Sequence, residues 1–465
     1  MALVLLLVLV LTEIGFAVFE LTRSDTKKIW TKKRLLVNGA EIILYLLMLV
    51  LPGIDFSFRF KGLVFLLIIR IIFGLIFFLA NRKNEKIKKK VSIVFGMVFS
   101  CFFIISSLAT AFIIKDYKGR PLTGSYSVAE SDAILIDHSR VESFETDGSY
   151  REIPVHFYYP ENAENIKEHS LPLVIFSHGA FGYYQSNTST YMELASNGYV
   201  VISLDHPYHA MFTKDSDGKT ITVDPEFIQD AMRIQNGGGE ETEEEIYEIT
   251  SKWIELRTAD MNFVIDTMED TVAAEGKEGT VAADKLGEAW FVNDDSKDSI
   301  SEAIKLVDIQ KIGLMGHSLG GATAVTVGRR EDISAVIDLD GTMLGEQTGV
   351  KDGIPVINED PYTTPLLSIN NESHNQECVE CEKTGVDYSN NVILKNATEG
   401  YSTYFKGSEH MNFTDLPLLS PFLSSLLGTG DIDAGECIDQ VNGLVLKFFD
   451  SFLKGTGDFT VQESY

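Results

Sequence analysis

Lys311-Ile-Gly-Leu-Met-Gly-His-Ser-Leu-Gly-Gly321 (KIGLMGHSLGG) is the stretch on which the reading of this chain turns. Lys311–Met315 is short and apolar enough for a buried strand, and Ala322–Gly328 (ATAVTVG) suits a helix. Between them stands G-x-S-x-G, Gly316-His317-Ser318-Leu319-Gly320. A strand that becomes a helix over so few residues needs small neighbours around the serine. The turn lifts the hydroxyl above the sheet and aims helix N–H groups at developing negative charge. Ser318 is the candidate nucleophile; an ordinary glycine-rich helix entry is the alternative.

A nucleophilic serine needs a base, and the base needs a carboxylate to orient it. With this elbow the chain order is Ser, then Asp or Glu, then His. Only His374 and His410 follow Ser318. His374, in NNESHNQEC, reads as a solvated loop histidine, whereas His410, in GSEHMNF, follows a predicted strand at Tyr401–Phe405. For the acid, Asp338 and Asp340 compete at the end of SAVIDLDG; Asp340, next to Gly341, is better placed to leave the strand and reach His410. The oxyanion calls for two N–H donors. The backbone of Leu319 is one, and that of Ala180, in Ser177–Gly182 (SHGAFG), is the other. His178 either orients that loop or is purely structural.

Outward from the elbow, apolar runs alternate with helical spacing. Strands are predicted at Glu152–Tyr159, Leu173–Phe176, Tyr199–Leu204 and Ser334–Leu339, with helices over 243–270 and from about Gly435 to Leu453. Short apolar strands separated by helices imply a mostly parallel sheet covered on both faces, with ligands beyond its carboxyl ends. Acidic insertions near 207–245 and 271–305 would lie on that rim as a lid. The fold class is α/β, an α/β-hydrolase fold at 131–465. FSHGAFG, GHSLGG, the Asp340 strand and GSEHMNFTD resemble the platelet-activating-factor acetylhydrolases (the lipoprotein-associated phospholipase A2 group). GSYSVAESDAILID and REIPVHFYYP resemble that family's lead-in, so the resemblance covers about residues 121–455. It implies hydrolysis of short or oxidised acyl esters of phospholipids, with no metal or organic cofactor.

Residues 1–115 are of another kind. Four apolar stretches, about 2–21, 35–51, 62–80 and 91–114, each approach the roughly 17–25 residues of a membrane-spanning helix. This N-terminal bundle of about four transmembrane helices is joined through a linker at 116–130. Basic loops follow the first span (Arg23, Lys27, Lys28, Lys32, Lys33, Arg34) and the third (Arg82, Lys83, Lys86, Lys88, Lys89, Lys90). Cytoplasmic loops collect Lys and Arg, so both face inward and the catalytic domain is extracytoplasmic. Charges at Glu13, Glu20, Glu41 and Arg70 fall in or beside the spans, where pairing such as Glu41 with Arg70 is the plain reading and a functional role the alternative.

Charge divides where hydropathy does. Residues 1–116 hold 16 Lys and Arg against 7 Asp and Glu, a net of +9; residues 117–465 hold 23 against 60, a net of −37. So acidic a half argues against nucleic acid as a partner, since a polyanion needs a basic stripe. Cys378 and Cys381 form C-x-x-C in a polar stretch with no second pair for zinc, and a loop disulfide is expected outside the cytoplasm. Together these features predict a membrane-anchored serine ester hydrolase with an ester or lipid as substrate. The alternatives are an envelope acyltransferase with the same triad, or a silent receptor or scaffold, against which an intact triad argues.

Overall fold

The structure, a computed structural model, describes residues 1–162, 165–235, 241–275, 289–291 and 294–465. Its contacts divide the chain into two compact units, Met1–Lys118 with Leu418–Leu423, and Gly119–Pro417 with Ser424–Tyr465.

The first unit is helical, with Ala2–Leu21, Lys27–Met48, Phe58–Asn81, Lys90–Ser107 and a short Ala109–Ile113. Ala2–Leu21, Phe58–Asn81 and Lys90–Ser107 are long and apolar enough to cross a membrane. Leu5, Leu9, Phe60, Leu63 and Ile104 pack inward, while Leu7, Phe65, Phe77 and Phe95 are exposed. Helices apolar all round belong in hydrocarbon or a large core. Lys27–Met48 departs from the stretch expected at 35–51, because it begins among Lys27, Lys28, Lys32, Lys33 and Arg34. Its 22 residues rise about 33 Å, against a hydrocarbon core of roughly 30 Å. Charge, not length, sets it apart. Two of these charges are paired within the unit: Arg34 forks onto Glu13 at 2.6 and 2.8 Å and Lys33 meets Glu20 at 2.9 Å, while Arg70 of Phe58–Asn81 lies 3.0 Å from Glu41 and also touches Glu13. The stretch expected at 91–114 is interrupted at Leu108, between Ser107 and Ala109.

The second unit is built on a sheet of nine strands among the described residues. Numbered in chain order within the sheet, they are β1 (Val128–Val141), β2 (Tyr150–Pro160), β3 (Leu171–Ser177), β4 (Val200–Leu204), β5 (Trp290–Phe291), β6 (Val307–His317), β7 (Ile333–Leu339), β8 (Leu366–Asn371) and β9 (Gly400–Phe405). Their spatial order is β9-β8-β7-β6-β3-β4-β2-β1-β5. The six strands from β9 to β4 run parallel, and β2, β1 and β5 continue antiparallel. Alternation along each strand feeds two cores. Leu173 and Ile175 of β3 pack with Met261, Val264 and Met268 of the helix Glu243–Glu275. Val174 and Phe176 pack with Val441, Val445 and Phe449 of the helix Ala434–Phe452. A mostly parallel sheet covered by helices on both faces, with a serine elbow at β6, fits an α/β-hydrolase fold.

Register brings the carboxyl ends to one edge, since Ser177 pairs with Gly316, His317 with Leu339, Leu339 with Ile369 and Asn371 with Phe405. The differences from the sequence expectations are local. β1 begins inside the expected linker at Val128, and β8 was not predicted. The insertion at 207–245 forms a hairpin, Phe212–Lys214 with Thr220–Thr222, and a helix, Pro225–Gln235. The one at 271–305 lies partly outside the described residues. The polar stretch around Cys378 is a helix, Glu372–Thr384, so the two cysteines stand one turn apart and both are free, where a loop disulfide was expected.

Candidate active site

Ser318 sits between β6 and the helix Leu319–Val327 with φ 56° and ψ −125°. A non-glycine residue held there stores roughly 1–3 kcal/mol of strain. Two bonds hold it: the Ser318 N–H donates to the Leu339 carbonyl at 2.8 Å, and the Ala322 N–H to the Ser318 carbonyl at 3.1 Å. The flanking glycines are required by proximity. A Cβ on Gly316 would strike the Gly320 carbonyl group, and one on Gly320 the carbonyl of Ser177 at the end of β3. This is how G-x-S-x-G becomes a turn sharp enough to present a hydroxyl.

Asp340 leaves β7 with φ 57° and is almost wholly buried. His410 opens a 3₁₀ turn, His410–Phe413, fixed by reciprocal bonds between Glu409 and Asn412. The His410 Nδ1–H donates to Asp340 Oδ2 at 2.6 Å, and its ring is 40% exposed, open to a substrate. The Asp340 carboxylate takes three further donors: the Asn371 N–H at 2.8 Å, Asn371 Nδ2 at 2.6 Å and His374 Nδ1 at 3.1 Å. Burial opposes its charge, but hydrogen bonds from His374 and His410 hold the carboxyl well below the usual carboxylate range. Asp338 does not reach His410. It is fully buried, accepting the Gly341 N–H at 3.0 Å, and burial with the nearby Asp340 charge keeps its carboxyl well above the usual range. His374, expected in a solvated loop, is instead buried on the helix Glu372–Thr384 against Asp340.

Ser318, Leu319, Ala180, Asp340 and His410 line one cavity of about 310 Å³, with Trp253 and Leu344 on its apolar side. The Ala180 loop is firmly held. The Phe181 N–H donates to the His209 carbonyl at 3.1 Å, with Phe181 at φ 60°. His178 is fully buried and far less basic than usual, through burial and the Arg257 charge. Its neutral ring donates from Nδ1 to the Gly179 carbonyl at 2.7 Å and accepts the His206 N–H on Nε2 at 3.1 Å. Arg257 donates to the carbonyls of His178 at 2.5 Å and Gly179 at 3.3 Å. Sequence reasoning passed over Arg257. Its signal was position, four residues from both Trp253 and Met261 on the apolar stripe of one helix.

A second Ser-His-Asp array lies close by. The Ser177 O–H donates to His206 Nε2 at 2.8 Å, and the His206 Nδ1–H donates to Asp260 Oδ2 at 3.0 Å. All three residues are 0% exposed, so no ester can reach the hydroxyl. Asp260 is also ion-paired to Arg151 at 2.7 Å. This array is a structural clamp; among the described residues, the cavity around Ser318 is the one that combines a strained serine with an open histidine, and Leu319 and Ala180 line it.

Comparison with known proteins places most of the catalytic unit in a family. The family model described as platelet-activating factor acetylhydrolase, isoform II, matches residues 151–464. The platelet-activating factor acetylhydrolase of Cavia porcellus is 24% identical over 295 residues, 61% of this chain and 57% of that protein. Those of Gallus gallus and Canis lupus familiaris are 26% identical over 313 and 301 residues, 63% of this chain in both and 64% and 60% of the relatives. The chain thus spans about three fifths of the length of the curated relatives it matches. Among solved structures, a ferulic acid esterase from Streptomyces cinnamoneus is similar at TM-score 0.49 and 18% identity, covering 74% of this chain and 95% of that one.

Proposed function

The chain belongs to the platelet-activating factor acetylhydrolase, isoform II, family, and on that premise we propose that it is a membrane-anchored serine hydrolase of short-acyl carboxylic esters, phospholipid esters among them. The observation that carries the reading is the 2.6 Å bond from His410 to Asp340, made on the wall of the cavity that Ser318 enters. Ser318 Oγ attacks the ester carbonyl as His410 Nε2 takes its proton, while Asp340 holds the imidazole in the required tautomer. The N–H groups of Leu319 and Ala180 stabilise the oxyanion, each such donor contributing about 10²–10³ in turnover. His410 then protonates the leaving alcohol, and water activated by the same imidazole releases the acyl group. A cavity of about 310 Å³ bounded by Trp253 suits a short acyl chain.

For the first unit the proposal is four spans, with Lys27–Met48 crossing as the second because Arg34 and Lys33, the cations nearest its apolar stretch, pair with Glu13 and Glu20. The basic loops then lie in the cytoplasm and the catalytic unit outside.

The deciding experiment uses both serines. A fluorophosphonate probe should label the full chain and Ser177→Ala alike, and Ser318→Ala should lose the label. Labelling that survives in Ser318→Ala, or disappears in a folded Ser177→Ala, would refute the assignment.

A further inference from the structure

The second histidine on the acid has no place in the usual three-residue array. Asn371 caps the helix Glu372–Thr384, its Oδ1 accepting the His374 N–H at 2.8 Å, and this sets the His374 ring against Asp340. Both ring nitrogens are engaged: Nδ1 with Asp340 Oδ1 at 3.1 Å and Nε2 with Tyr388 Oη at 3.0 Å. Tyr388 Oη is in turn 3.2 Å from Thr342 Oγ1. Neither Asp340 nor Tyr388 is a group that must donate to His374, so the ring can give a proton at each end, as an imidazolium does.

The charged surroundings favour the same form. Asp340 hydrogen-bonds the ring, and Glu377 lines the same cavity. Opposing it are burial and the positive end of its own short helix. Burial lowers the basicity of His374, but the bond to Asp340 and its charge, with the neighbouring Cys378, more than reverse this and raise it to about 10.

We propose that His374 is a positioning residue for the catalytic acid: as a buried cation on Asp340 Oδ1 it turns Oδ2 towards His410 and shares the negative charge that His410 would otherwise feel alone. The inference rests on the hydrolase reading above. With the cation in place, the carboxylate presents less net negative charge to the imidazole it orients. Without it, the full carboxylate charge acts on His410.

The test is the pH profile of kcat/KM on p-nitrophenyl acetate, measured with the full chain in detergent. His374→Gln and His374→Phe each remove the charge, so either decides if the other fails to fold. The acid limb should move up by about one pH unit, the effect of one unit charge across a carboxylate at intermediate dielectric. The alkaline plateau is expected to fall as well, since the contact that aims Oδ2 is lost, and it is the limb that decides. His374→Lys, which keeps a cation, should restore the limb towards the native position. A purely structural role would lower the melting temperature and the plateau and leave the limb in place, and that outcome overturns the proposal. Ser318→Ala run in parallel separates the two readings: residual turnover there defeats the hydrolase assignment, whereas an unmoved limb in variants that still depend on Ser318 defeats only the role of His374.

Discussion

Replacing Asp340 by Asn changes one oxygen into an amide and nothing in size. Four donors converge on the carboxylate, Asn371 N–H and His374 Nδ1 on Oδ1, and Asn371 Nδ2 and His410 Nδ1 on Oδ2. Whichever way the amide turns, two of them meet an N–H₂. A buried donor left without an acceptor costs about 1–3 kcal/mol, so Asp340→Asn should be destabilised by roughly 2–6 kcal/mol. At about 2.1 cal/mol/K per residue, a unit of this size has an unfolding entropy near 0.7 kcal/mol/K, and the melting temperature should fall by roughly 3–8 °C. If the amide N–H₂ faces His410, the imidazole adopts the wrong tautomer, and the loss in kcat should approach the roughly 10⁴-fold of other triads, about 5.4 kcal/mol. Asp338→Asn provides the contrast. Asp338 is kept protonated by burial and by the charge on Asp340, so an amide N–H₂ simply takes the place of its O–H. Turnover should stay within about threefold and stability within about 1 kcal/mol. The assay is p-nitrophenyl acetate turnover beside a melting curve for each variant. The reasoning is refuted if Asp338→Asn loses turnover while melting normally, or if Asp340→Asn keeps turnover within tenfold of native.

Trp253 bounds the cavity and packs edge-on against Phe227, 4.9 Å between ring centroids. Trp253→Ala should raise kcat/KM for p-nitrophenyl octanoate relative to the acetate by about tenfold, the scale of one or two methylenes newly admitted; an unchanged ratio would show that the acyl chain lies elsewhere. For topology, in a chain whose four native cysteines are changed to serine, a cysteine replacing Asp147 should react with a membrane-impermeant maleimide in intact cells and one replacing Lys88 should not, and the reverse pattern would put the catalytic unit in the cytoplasm.

What could be read from the sequence was local. The elbow is legible because its glycines, serine and flanking apolar runs lie within about twenty residues, and His410 because it comes just after the apolar strand at Tyr401–Phe405. The choice of Asp340 over Asp338 follows from where the strand ends, and the geometry brings Asp340 alone to His410. The helix Glu372–Thr384 was hidden by composition, since ESHNQECVECEKT offers almost no apolar stripe. Its boundary signals were nonetheless present, Asn371 as a cap and Gly385 at φ 71° as a stop thirteen residues on. Reading that helix as a loop cost both the placement of His374 and the free state of the two cysteines. In the first unit, Lys33 and Arg34 of Lys27–Met48 pair with Glu20 and Glu13 on Ala2–Leu21, partners that the segment's own residues do not reveal.

Long-range pairing also explains why one sheet edge can carry two Ser-His-Asp arrays and assign them different work. Ser177 ends β3 in ordinary strand register with Gly316, so its hydroxyl points into the molecule, whereas Ser318 has been forced out of register by the elbow. His206 is sealed, and burial with the charge of Arg257 pushes its basicity down to about 4, so it cannot act as a base near neutrality. It still donates to Asp260 and accepts from Ser177, which ties the end of β3 to the helix Glu243–Glu275. That same helix carries Arg257, whose guanidinium holds the carbonyls of His178 and Gly179 just before Ala180. The inert array is therefore one anchor of the loop whose Ala180 N–H is the proposed oxyanion donor of the other. An N–H aimed to within a few tenths of an ångström needs this kind of support, because preorganised dipoles stabilise charge only if they need not move when it forms.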